Sequence, residues 1–169
     1  MSITMHSASV PIFKRTLANL AAWLDKAQAH AEAKRFDTGV YLQARLAPDM
    51  LPFVKQVQIA CDSAKLCVAR LTGVEAPKHA DTEASFDELR QRIAQTIAFI
   101  ESVPAERFAG TEAMQISVPR RSGEPLQFDG ESYLKHFALP NFFFHCTTAY
   151  ALLRHNGVDL GKQDFLGAR

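Results

Sequence analysis

The sequence predicts an all-α protein, a four-helix bundle with a short β-hairpin inserted before the fourth helix. Three observations carry this expectation. Apolar residues recur three and four apart over three long segments, the stripe of an amphipathic helix. A further segment, Phe137 to Val158 (FALPNFFFHCTTAYALLRHNGV), is apolar almost all round, as a buried helix is. Strand-like alternation is confined to Ala113 to Gly130.

The first segment runs from about Ser2 to Ala33, with Ile3, Val10, Phe13, Leu17, Leu20, Leu24 and Ala27 on its stripe. Pro11 either kinks this helix or marks its true start, because proline has no amide hydrogen to donate. His6 lies on the same stripe and reads as a semi-buried terminal residue. A linker from Lys34 to Pro48 follows, and its Tyr41 reads as a loop side chain packed on the surface. Asp49 is placed as the N-cap of a second helix with the stripe Met50, Phe53, Val57, Ala60, Ala64, Val68 and Leu71. Pro52 falls in its first turn and Gly73 serves as its C-cap. The polar loop Val74 to Ala84, with Pro77 and His79, is long enough to cross one end of a bundle.

The third helix spans Ser85 to Ser102, with Phe86, Leu89, Ile93, Ile97 and Ile100 inward. Ser85 and Glu88 have the S-x-x-E spacing of a capping box. Ile116 and Val118 then alternate opposite Leu126 and Phe128, across an Arg121-Ser122-Gly123-Glu124 turn, which predicts a hairpin. Glu131 to Phe137 adds a helical turn, and Pro140 reads as a stop in front of the last helix. Asn156-Gly157 ends that helix, and the tail from Asp159 to Arg169 folds back as an irregular cover.

Composition sets the outer limits. The chain has 169 residues and a formal net charge of +1, which fits one domain over residues 1–169 and no nucleic-acid partner. Its apolar runs fall short of the roughly 20 residues that span a bilayer, so no membrane partner is expected. The N-terminus lacks a basic leader and an apolar run, so it is not read as a signal peptide. Cys61, Cys67 and Cys146 are an odd set with no zinc spacing. A reducing cytoplasm is the simplest location.

The last helix concentrates the candidate chemistry. At 100° per residue Asn141, His145, Thr148 and Leu152 share one sector beside an apolar face. Asn141 and His145, four apart, lie one above the other. A buried histidine needs a partner, and bundle cores are where sites are built from facing helices. On the second helix Gln58 and Asp62 are also four apart, with Cys61 and Lys65 beside them. Asp62 is either the carboxylate that orients His145 or a surface charge. His155 caps the helix dipole, and His136 is read as exposed or interfacial. Asn141, His145, Gln58 and Asp62 form the candidate ligand-binding set, with His145 the best candidate for a catalytic or metal-ligating residue.

The phrase ALPNFFFHCTTAYALLRHNG, with QVQIACDSAK on the second helix and DFLG near the end, resembles the DinB-like (YfiT-like) four-helix-bundle superfamily. It is most similar to an uncharacterised bacterial branch known as a domain of unknown function. The resemblance covers nearly the whole chain. It implies helices running up-down-down-up, with a long connection between the second and third, and frequent assembly as a homodimer. It also implies, in many members, a divalent metal held by one histidine from the second helix and an H-x-x-x-H pair from the fourth. Some such relatives are thiol-dependent transferases or hydrolases. Here the pair maps onto Asn141 and His145, and no histidine lies between Asp49 and Gly73. An amide is a poor ligand for zinc, nickel or iron, so a full set would need His6 or Cys61.

The sequence therefore points first to a bundle that binds a small ligand in its cavity without a metal cofactor. The alternatives are a metal-dependent enzyme using His145, and a homodimeric interaction module.

Overall fold

The computed structural model describes residues 3–167; Ser2 and Arg169, at the outer limits of the expected first helix and tail, lie outside them. In chain order the elements are α1 (Val10–Lys34), α2 (Gly39–Gln43), α3 (Phe53–Thr72), α4 (Phe86–Ser102), β1 (Gln115–Val118), β2 (Leu126–Asp129), α5 (Gly130–Tyr133), α6 (Leu139–His155) and α7 (Lys162–Leu166). Two 3-10 turns, Ala105–Phe108 and Thr111–Ala113, lead into β1. A π-helical turn, Leu134–Ala138, joins α5 to α6.

Side-chain pairs fix the helix directions. Lys14 meets Glu101, and Arg90 meets Asp25, so α1 and α4 are antiparallel. Phe53 meets Phe86 and Asp62 meets Arg92, so α3 and α4 are parallel. His145 meets Gln56 and Asn141 meets Ser63, so α6 runs against α3. Phe13 packs on Phe142 at 4.8 Å between ring centroids and Trp23 on Tyr150 at 5.6 Å, so α6 runs with α1. The bundle is up-down-down-up. Phe13, Leu17, Leu20, Leu24, Phe53, Val57, Leu89, Phe142 and Leu153 meet at its centre.

Several local signals have the predicted effect. Pro11 sits in the first turn of α1, so it marks the start rather than a kink. Ser85 and Glu88 form the capping box of α4. Gly73, with φ of 71°, closes α3 in the left-handed region that glycine tolerates best. β1 and β2 pair antiparallel with Ile116 opposite Phe128 and Val118 opposite Leu126. A lone hairpin is marginal, and this one rests on the π turn before α6 through Phe128, 5.5 Å from the Phe137 ring. Gly130 follows directly, so close to Thr111 that a Cβ would lie 1.9 Å from its carbonyl oxygen.

Other expectations are corrected. α3 begins at Phe53, with extended Pro52 rather than Asp49 at the cap. Met50 and Asp49 belong to the turn before it, and the Phe53 N–H is satisfied by the Ala44 carbonyl at 2.9 Å. Because α3 and α4 are parallel, the Val74–Ala84 connection cannot simply cross one end; it runs back along the bundle as a strap. Tyr41 is buried, on α2, and its hydroxyl lies 2.5 Å from His30 Nδ1. Pro140 does not stop a helix. Tyr133, Leu134, Ala138 and Leu139 all have helical angles, and the π turn absorbs the missing N–H just upstream. The tail is not wholly irregular: α7 places Phe165 in a stack on Trp23 at 5.5 Å. The last helix is not covered all round either, since Phe144 is 55% exposed.

Candidate functional site

α3 carries polar groups toward both of its main neighbours, and the structure sorts the candidate residues between them. Toward α4 and the strap lies a charged seam centred on Arg92, which is buried. Its guanidinium donates to Asp81 at 2.6 Å, to Glu83 at 2.9 Å, to Asp62 at 2.9 Å and to the Gln58 carbonyl at 3.3 Å. Lys65 Nζ lies 2.9 Å from Asp62 and 3.4 Å from His79 Nδ1. Gln58 donates its amide to Glu83 at 2.7 Å. Gln58 and Asp62 are thus anchors of the strap, and neither bonds His145. Burial opposes ionisation of Glu83, but hydrogen bonds from Arg92 and Gln58 hold its carboxyl below the usual range. His79 is lowered by burial and by the charges of Lys65 and Arg92.

Toward α6 the seam is uncharged. His145 is 8% exposed, with the Phe144 ring set edge-on against it at 5.2 Å. Its Nδ1 lies 2.7 Å from Gln56 Oε1. Gln56 Nε2 donates to the Leu51 carbonyl at 2.9 Å, which orients the amide. Its oxygen therefore faces the imidazole, Nδ1 carries the hydrogen, and Nε2 keeps a lone pair. Burial lowers the His145 pKa, favouring this neutral form. Asn141 Nδ2 donates to Ser63 Oγ at 2.8 Å.

Beside Asn141 the helices part around a cavity of about 190 Å³. Ile59, Asp62, Ser63, Leu66 and Arg70 line it from one face of α3, at the three- and four-residue spacing that shares a helix face. Tyr133 closes it from the end of α5, Phe137 and Ala138 from the π turn, Asn141 from the start of α6, and Val118 from the hairpin. Arg70 donates to the Tyr133 hydroxyl at 3.0 Å. Of the candidate set this cavity brings together Asn141 and Asp62, and leaves out Gln58 and His145.

The three-histidine metal set that the fold suggests does not fit these residues. Among the described residues no group of three His, Cys, Asp or Glu side chains converges on one point. Asn141 spends its amide on Ser63 and His145 spends Nδ1 on Gln56. Cys61 is buried against α4, its thiol pushed up to about 12 by that burial, and His6 packs on Phe108 at 5.2 Å. His136 and His155 are exposed.

Sequence reasoning missed Arg92, Gln56, Ser63, Arg70 and Tyr133. An arginine inside the α4 stripe, between Leu89 and Ile93, was a usable signal for a buried charge. The others depend on how α6 is phased against α3.

Comparison with known proteins places this arrangement. The family model described as a domain of unknown function (DUF1993) matches residues 5–166. A DinB family member protein from Shewanella denitrificans, known from its crystal structure, is 48% identical. It superposes with a TM-score of 0.90, and the match covers 97% of this chain and 92% of that chain. No curated protein matches the chain. No helix among the described residues is long and apolar enough to cross a membrane.

Proposed function

The chain belongs to the DUF1993 family and shares its fold with a DinB family member, and on that footing we propose that it binds a small organic ligand, without a metal, in the cavity between α3 and the start of the last helix. The cavity itself carries the proposal. It has apolar walls in Ile59, Leu66, Val118 and Phe137, and a few convergent polar groups in Ser63, Arg70, Tyr133 and Asn141. That mixture is typical of small-molecule sites. A π turn borders it, and such turns often mark functional positions. At about 190 Å³ it suits a molecule below the usual drug size. Small, mostly apolar probes should raise the Tm of the wild type and leave Leu66→Trp, which fills the cavity, unmoved. Equal stabilisation of both proteins would overturn the proposal.

A second reading rests on His145, whose fixed tautomer leaves Nε2 as a lone-pair donor. There it would act as general base or metal ligand in a small-molecule enzyme. Metal analysis of untagged protein separates the two: stoichiometric zinc, nickel or iron would replace the first reading with the second. Homodimerisation through the exposed Phe144 is compatible with either, and a concentration-independent monomer in sedimentation would remove it.

A further inference from the structure

Arg70 is the unbalanced charge of the cavity. It lies partly buried near the C-terminal end of α3, and it forms no salt bridge among the described residues. Its interactions are one hydrogen bond, to Tyr133 Oη at 3.0 Å, and a position 5.9 Å from the centre of the same ring. A guanidinium has five N–H donors, so most of its capacity is open. The other charged group on the cavity wall is Asp62, and its Oδ1 is already engaged by Lys65 and Arg92 at 2.9 Å each.

Tyr133 adds a second donor. Its oxygen accepts from Arg70, which leaves the phenolic hydrogen to donate elsewhere. Burial pushes the Tyr133 pKa up to about 12, so that hydrogen is present at neutral pH. Toward the other end, Asn141 gives its amide N–H to Ser63, with apolar Leu66 and Phe137 on the walls between.

Resting on the cavity's being a binding site, we infer that its ligand is a small monocarboxylate, the anionic head on Arg70 and Tyr133 and the apolar body against Ile59, Leu66 and Phe137. Arginine suits this role because its fork matches the two carboxylate oxygens. Size agrees: an apolar cavity of about 150 Å³ holds a benzene ring, and this one holds about 190 Å³. Along α3, Arg70 stands seven residues past Ser63, about 10 Å at the helical rise, so the site takes one ring or a short chain with its head group.

Calorimetric titration of the whole chain with sodium benzoate and with benzamide tests this. Benzoate should bind the wild type about tenfold or more tightly than benzamide, as charge-assisted hydrogen bonds predict. Arg70→Met should erase that preference while still taking benzamide, Arg70→Lys should recover part of it, and Tyr133→Phe should weaken benzoate alone. Equal affinity for the two probes would overturn the carboxylate inference and leave the cavity reading standing. Benzoate bound as tightly by Leu66→Trp as by the wild type, or no binding of either probe, would overturn both.

Discussion

The two flanks of α3 are built from opposite chemistry. Toward α4 the helix meets a fully buried guanidinium answered by Asp62, Asp81 and Glu83. Toward α6 it sets an amide and a hydroxyl against an amide and a neutral imidazole. Buried ion pairs seldom add net stability over a well-packed apolar core. This one instead specifies where the long strap lies, by giving Asp81 and Glu83 one partner beneath them. Asp81 accepts a left-handed backbone, φ 58°, in that position. At the α6 contact the pairs are neutral, and the cavity, which Arg70 and Asp62 also line, opens next to it. Dense charge thus pins the strap, and the sparser polarity of the other flank borders the cavity suited to binding.

The contrast should appear in stability measurements, most strongly at Arg92. Arg92→Met removes the partner of Glu83, of the part-exposed Asp81 and of Asp62, which keeps Lys65, and should cost about 3 kcal/mol in urea unfolding, the low end for breaking a buried pair. The strap should also become open to proteolysis between Val74 and Ala84. Across the helix, His145→Ala leaves Gln56 Oε1 without its donor and should cost about 1–3 kcal/mol. Asn141→Ala, whose partner Ser63 borders the cavity, should cost only about 0.5–1.5 kcal/mol. A ranking with Asn141 above Arg92 would contradict the division between the flanks.

Acid provides a finer comparison, because each flank holds one histidine. Both are lowered from the ordinary value of 6.5, His145 by burial and His79 by burial together with Lys65 and Arg92. The unfolded chain then binds protons more readily than the folded one. Stability should therefore be full above pH 6.5 and fall as the pH drops through that value. His145→Gln and His79→Gln should each flatten part of this fall, and a profile unchanged in both would contradict the assignment. The smallest effect concerns the thiols. Burial raises Cys61 and Cys146, so Ellman's reagent should modify them only as the protein unfolds.

The sequence carried the fold because its signals are local. Ser85 with Glu88, Gly73, Pro11 and the Ile116/Val118 alternation each act within a few residues, and each produces the element it predicts. Where tertiary context decides, the local signal fails. Asp49 lost the cap because Ala44, nine residues before Phe53, satisfies its N–H. Pro140 failed to end a helix because a π turn accommodates it. The site follows the same division. Asn141 and His145 were visible as one line on the last helix, but the partner of His145 is Gln56 and not Gln58. Those two positions point to opposite sides of α3, and the rotation of α3 against α6 is set by core packing that no short window of sequence contains.

The most direct test of the cavity as the functional site is a methyl NMR titration of the full chain with small apolar and carboxylate probes. Shifts concentrated on Ile59, Leu66 and Val118, with Leu51 beside the Gln56–His145 pair unmoved, are the predicted result. Shifts centred on Leu51, or none at the three cavity methyl groups, would contradict it.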